Sequence, residues 1–296
     1  MTRLALITDS SCGLSADLIA RYDLHALPYY ILAGGRMLKD GIHISREEVF
    51  RLLRDGRHLP NTKAPTLGDF AALYRSLLGK VDAALVISPP RERTAAYQHA
   101  ESARSFTPDL NIAVLDSRHT SIGQALVVLA AAHARGAGGD LKAILGAAQH
   151  AIDRMEVWVV LESLKFAARS GRVPNLDQFE RAGYSPGPFE LSGEETRASP
   201  PGVPVLRHEN GAPHIAFTAR NVDQAMERLK AGLADRVRGE RVHAAITHAG
   251  DIAQAESIRA WAQSTWSPVE LHVLELPPIL AVYAGPGAVG VAVYNE

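Results

Sequence analysis

The feature that most constrains this chain is an alternation of short apolar runs with longer stretches of helical period. The first half reads as strand Leu4–Thr8, helix Ser15–Tyr22 and an extended run Leu27–Leu32. Ser45 with Glu48 three residues later forms a capping box, which predicts a helix running to about Asp55, just before Gly56. Thr66 with Asp69 opens another helix, through Leu78. Strand Ala83–Ser88, helix Thr94–Ser105, strand Ile112–Leu115 and helix Ser121–Arg135 follow. Strands that are each followed by a helix return in the same direction, so the pattern predicts an α/β fold with a mainly parallel sheet covered on both faces.

The glycine-rich stretch Gly136-Ala137-Gly138-Gly139 punctuates the chain before helix Asp140–Arg154. Strand Val157–Leu161 then begins a second domain, which gives expected domains at residues 1–154 and 155–296. Ser185–Pro213 lacks a clear period and reads as either a long surface excursion or irregular strands. Order returns with helices Val222–Arg238 and Ile252–Thr265 and strands Val242–Thr247, Val269–Leu274 and Ala288–Tyr294.

Composition excludes several classes. Thirty-one basic residues against thirty-two acidic ones leave a net charge of −1, so neither nucleic acid nor stable membrane insertion is expected. No apolar run approaches the ~18 residues that cross a bilayer. The single cysteine, Cys12, excludes an internal disulfide and fits a cytoplasmic location. The twelve histidines are scattered without close metal-ligand spacing, so each reads as a surface or core residue and no metal is expected. His248 is set apart because it ends a strand.

In open α/β sheets, ligands bind beyond the carboxyl ends of the strands. Four such ends carry small polar residues: Asp9-Ser10-Ser11, Ser88, Asp116-Ser117 and Thr247-His248. Any one of these is explained by helix capping or an Asx turn; their recurrence points to a ligand. Gly285-Pro286-Gly287-Ala288-Val289-Gly290 matches a dinucleotide fingerprint letter for letter. It has no following helix and only six residues after it, so it reads as a tight turn into a strand. There is no nucleotide phosphate loop, no G-x-S-x-G elbow and no H-E-x-x-H. No cofactor is expected and no catalytic residue is assigned.

Taken in order, these loops resemble the DegV family. TDSS closes the first strand, and Thr62-Lys63-Ala64-Pro65-Thr66 precedes Asp69-Phe70. Tyr97-Gln98-x-Ala100 follows Ser88, then Leu115-Asp116-Ser117 and Gly123. Leu164-Lys165-Phe166 leads to Ser170-Gly171-Arg172, and Gly285-Pro286-Gly287-Ala288 comes last. Six fragments in the right order span nearly the whole chain. The resemblance implies two α/β domains, the C-terminal one with a mixed sheet, and a protein that holds a long-chain fatty acid in an apolar tunnel. It implies polar loops at the carboxylate and a partner, a dihydroxyacetone-kinase-like fatty acid kinase subunit, that supplies the nucleotide chemistry.

Carried over residue by residue, the resemblance assigns Thr62, Thr94, Ala95, Tyr283 and Gly285 to the ligand, with Ser10 and Ser11 nearby. Arg172 and His248 become partner-facing or phosphate-facing residues. Thr94 stands where the family has serine, keeping the hydroxyl and adding a methyl. Tyr283 stands where the family has histidine in His-x-Gly-Pro-Gly; a phenol can donate one hydrogen bond but cannot become cationic near neutral pH. That change favours, as an alternative, a lipid-sensing or storage module without a kinase partner. A stand-alone hydrolase or phosphotransferase using Ser10 or Ser88 with His248 has the least support, because no base-to-nucleophile arrangement is legible.

Overall fold

The computed structural model describes residues 3–56, 59–164, 166–167, 202–209, 211–237 and 241–296. The alternation predicted from sequence becomes a four-stranded parallel sheet in the order β2-β1-β6-β7. Its strands are β1 (Leu4–Asp9), β2 (Leu24–Leu27), β6 (Ala83–Ser88) and β7 (Asn111–Asp116). β1 and β6 are buried along their whole length, as a sheet covered on both faces requires.

Both capping boxes form as expected. Ser45 caps α2 (Arg46–Asp55) with Glu48 returning to the Ser45 backbone, and Thr66 caps α3 (Leu67–Leu77) with Asp69 doing the same. α1 covers Ala16–Arg21. The run expected from Leu27 to Leu32 is instead split at Pro28. Its second part, β3 (Tyr30–Ala33), pairs antiparallel with β4 (Arg36–Lys39) and β5 (Asn61–Lys63) in a separate small sheet. Helix α4 covers Ala96–Ala103, two residues later than Thr94. Its N-cap residue, Ala95, offers no side-chain cap, and the Thr94 hydroxyl accepts from the Ala96 backbone N–H at 3.4 Å.

The second half forms a six-stranded mixed sheet, β10-β9-β8-β13-β11-β12. It comprises β8 (Glu156–Val160), β9 (Val203–Glu209), β10 (Ala212–Ala219), β11 (Val242–His248), β12 (Glu270–Glu275) and β13 (Val289–Asn295). β11 pairs parallel with β12, and every other pairing is antiparallel. The stretch expected to be irregular thus contains β9 and the start of β10; its residues 185–201 lie outside the described residues. Its helices are α7 (Val222–Arg236), α8 (Ile252–Trp266) and a short α9 (Pro278–Ala284) that the sequence pattern did not announce.

Between the sheets lie α5 (Ser121–Gly136) and α6 (Leu141–Arg154). α5 buries Ile122 through Ala132 without a break, because it faces a sheet on each side. One core joins Leu4, Leu6, Leu85 and Ile87 of the first sheet, through Leu126 and Leu129, to Ala245 and Ala292 of the second. The alanines of α5 therefore serve close helix–sheet packing. Among the described residues no helix is long and apolar enough to cross a membrane.

Candidate ligand-binding site

A cavity of about 1030 Å³, counting space open at its mouth, lies beyond the carboxyl ends of strands from both sheets. Pro90 and Arg93 follow β6, Thr120 and Ser121 follow β7, Thr247 is the penultimate residue of β11, and Leu276 follows β12. Its walls are mostly apolar, among them Val157, Val159, Leu161, Leu206, Leu280 and Val289. Three of the four polar strand ends thus come near it. The fourth does not: neither Ser10 nor Ser11 lines this cavity.

Ser10 and Ser11 spend their hydroxyls on the protein. Ser11 donates to Asp9, its hydroxyl 2.5 Å away, and its backbone N–H does the same at 3.0 Å. Gln124 of α5 joins this group, reaching Thr8 at 3.2 Å and the Asp9 carboxylate at 3.4 Å. Ser10 donates to Asp40 at 2.6 Å and accepts from the Tyr29 backbone at 3.0 Å. Burial pushes both the Asp9 and Asp40 carboxyls up to about 6. Both hydroxyls are thus engaged within the protein, and Ser10 links the end of β1 to groups further along the chain.

Those groups sit on two arms. Asp40 accepts the Ile279 backbone N–H at 2.8 Å and so pins the first turn of α9, while Pro278 starts that helix. Five residues after Pro278, Tyr283 reaches the cavity wall and hydrogen-bonds the Thr62 hydroxyl on β5. The other arm is Tyr29, whose hydroxyl lies 2.7 Å from Thr94 Oγ1. Thr62 and Tyr283 are brought into direct contact across 221 residues of sequence; Thr94 stands one residue from Arg93, which lines the cavity. Ala95 is exposed and does not line the cavity.

The glycine turn behaves as its sequence predicts. Gly285 ends α9 with φ 71° and Gly287 has φ 70°. A Cβ at the first would run into the Phe166 ring, and at the second into Glu162. Only glycine fits this close approach, and the chain continues directly into β13, not into a nucleotide-binding helix. His248 is buried at the end of β11, outside the cavity lining, where burial and the nearby Arg46 hold its pKa down. Arg172 lies outside the described residues.

The cavity also has groups that the sequence did not announce. His208 on β9 lines it, with the His119 ring stacked behind at 6.3 Å. Burial pushes His119 down to about 3 and His208 down to about 4, so both are neutral at pH 7. Ser121 Oγ and Nδ1 of both histidines find no hydrogen-bond partner among the described residues. A second histidine group lies elsewhere: His133, His243 and Glu270 converge at the far end of α5. The residues are far apart in sequence, so only strand register could have revealed them.

The fold and cavity define a two-sheet α/β protein with a mostly apolar cavity at its strand ends and hydroxyls at the cavity's edge. The family model described as an uncharacterised protein family, DegV, matches residues 3–179 and 203–296. This chain belongs to the DegV family. It is 28% identical to a DegV domain-containing protein of Mycobacterium bovis over 297 residues, covering 98% of this chain and 96% of that one. A DegV family protein structure from Thermus thermophilus, described as showing fatty acid binding, superposes with a TM-score of 0.87. It is 26% identical and is covered in full, against 99% of this chain. A DegV family protein from Eubacterium eligens, loaded with heptadecanoic acid, shares the fold at a TM-score of 0.81 and 17% identity, covering 99% of this chain and all of that one.

Proposed function

We propose that this protein binds a long-chain fatty acid in the cavity, with the carboxylate at Thr62, Thr94 and Tyr283. The observation that carries this reading is the meeting of Tyr283 and Thr62 at the edge of a mostly apolar cavity. A carboxylate taken out of water needs several donors or it takes up a proton, and these hydroxyls can rotate to supply them. The tail gives the affinity: about 0.8 kcal/mol per buried CH₂ amounts to roughly 12 kcal/mol for sixteen carbons. Association costs of ~4–15 kcal/mol offset much of that.

On this reading the chain is a carrier and performs no chemistry of its own. Residues 1–154 and 155–296 act as two halves closing on the acyl chain, in the cytoplasm. The head group is then presented to a separate fatty acid kinase subunit, for which Arg172 is the candidate docking residue; the buried His248 is not accessible to a partner. The relatives' fatty acids and the absence of a phosphate loop from this sequence support a carrier over a stand-alone enzyme. Protein purified under native conditions should carry a fatty acid detectable by native mass spectrometry and organic extraction. A clean apo mass with no uptake of added palmitate or oleate would sink the proposal. Phosphorylation of the bound acid on adding the kinase subunit and ATP separates presentation from storage.

A further inference from the structure

The far end of α5 carries a cluster that the fatty-acid reading does not use. His243 is the second residue of β11 and stands in register with Glu270, the first of β12. His133, in the last turn of α5, faces them from between the sheets. His243 Nδ1 is 2.9 Å from Glu270 Oε2, and His133 Nε2 is 3.6 Å from Glu270 Oε1. One ligand atom from each residue lies within 4.8 Å of the other two.

These separations suit a metal ion. Ligands about 2.0–2.1 Å from a tetrahedral zinc lie roughly 3.3 Å from one another, and the two distances above bracket that value. The surroundings resemble the outer shell of a metal site more than a simple ion pair. The second nitrogen of His243 is 3.1 Å from Glu296 Oε1, and Glu296 is itself held by Arg241 at 2.6 and 3.0 Å. A carboxylate on the far nitrogen of a ligating histidine fixes its orientation and raises its basicity. The ring plane is fixed as well, stacked on Tyr294 at 4.7 Å and 5°. His272 Nε2, 2.7 Å from Glu270 Oε1, steadies the carboxylate from its own strand.

We infer that His133, His243 and Glu270 form a binding site for a divalent transition-metal ion of the zinc type. Two imidazoles and one carboxylate suit zinc and its neighbours; calcium and magnesium prefer all-oxygen shells. His243 is 7% exposed, while the His133 side chain is 39% exposed, so the ion enters from the His133 side and takes a water as fourth ligand. It displaces the Tyr22 hydroxyl, now 2.9 Å from His133 Nε2. Because α5 touches both sheets, the ion joins that helix to β11 and β12 as a brace. The ligand set is far from the cavity: Ser121 and His133 are twelve residues apart on one helix, about 18 Å. The site stands whether or not the cavity takes a fatty acid.

The test uses the full chain, stripped with a chelator, dialysed against zinc chloride and then analysed for bound metal and melting temperature. One zinc per chain and a raised melting temperature are expected, with no response to magnesium. His133→Gln and Glu270→Gln should abolish uptake, and Glu296→Gln should weaken it by roughly 10–100-fold as an outer partner. His133→Gln changes a partly exposed helix position, so its fold is checked by circular dichroism and its result stands if Glu270→Gln fails to fold. His99→Gln, remote from the cluster, should bind zinc like the wild type. No zinc uptake by the wild type would overturn the inference, as would uptake undiminished in His133→Gln.

Discussion

Two histidine clusters at opposite ends of α5 show how one residue type is given opposite electrostatic character. Beside the cavity, His119 and His208 stack on each other with no carboxylate partner among the described residues, and burial pushes them down to about 3 and about 4. At the far end, burial also opposes a charge on His243. There, the hydrogen bonds that His243 donates to Glu270 and Glu296 outweigh it and hold the imidazole above its ordinary value. Glu270 is correspondingly pushed down to about 2 in spite of burial, chiefly by His243 and His272. Burial, with cationic neighbours such as Arg118 and Arg93, keeps one pair of imidazoles neutral; burial with a countercharge favours the charged form in the other.

The contrast can be broken from either side. Removing the countercharge should have the largest effect: Glu270→Gln leaves His243 without its main partner and should cost about 3 kcal/mol in chemical denaturation. The His243 titration, followed by NMR, should fall back toward or below an ordinary histidine. An unchanged titration would mean that Glu270 does not set it. The reverse change comes next. Leu206 is 4% exposed, lines the cavity and shares a strand face with His208 two residues on. Leu206→Glu should raise the His208 pKa past 6 and reduce fatty-acid retention by about 100-fold, since an ionised group is costly beside an apolar tail. Leu206→Gln should leave the His208 titration low, which isolates the charge as the cause.

The hydroxyl substitutions are smaller in effect. Thr62→Ala, Thr94→Val and Tyr283→Phe should each weaken acyl binding by ~1.5–3 kcal/mol, the worth of a hydrogen bond to a charged group. Wild-type affinity in all three would put the carboxylate elsewhere, with Ser121 and His208 as the next groups to test. The smallest effect concerns acid stability. His119 has a folded pKa of about 3 against 6.5 unfolded, so its contribution is complete above pH 6.5 and is lost as the pH falls. Between pH 7 and pH 5 that loss is about 2 kcal/mol, and His119→Leu should remove it from the melting curves. Asp9 and Asp40 work in the opposite direction, gaining stability as the pH falls through 6 toward 4. They act equally in wild type and variant, so the difference between the two isolates His119.

Much of the scaffold was legible because its signals are local. Ser45 with Glu48 and Thr66 with Asp69 place two helices through hydrogen bonds made within one turn. Gly285 and Gly287 announce a turn that only glycine can make. The edge strands β4 and β5 were missed because sequences such as RMLK and NTK carry no alternation of their own; their partner β3 makes them strands. Helix α9 was missed because seven residues give too short a period, and it is held by Asp40 from 239 residues away. The Ser10 loop was read correctly as a strand-end turn, but its hydroxyl turned inward to that same carboxylate.

The sequence by itself determined the parallel first sheet, the membership in the DegV family and the glycine turn that carries Tyr283. Each depends on periodicity or on residues close together in the chain. Tertiary structure alone decided which polar residues meet. Thr62 reaches Tyr283, His208 stacks on His119, and His133 joins His243 and Glu270 only after strand register and the burial of α5 between two sheets are fixed. Those meetings set the protonation states, because a buried imidazole stays neutral or becomes charged according to the neighbour the fold gives it.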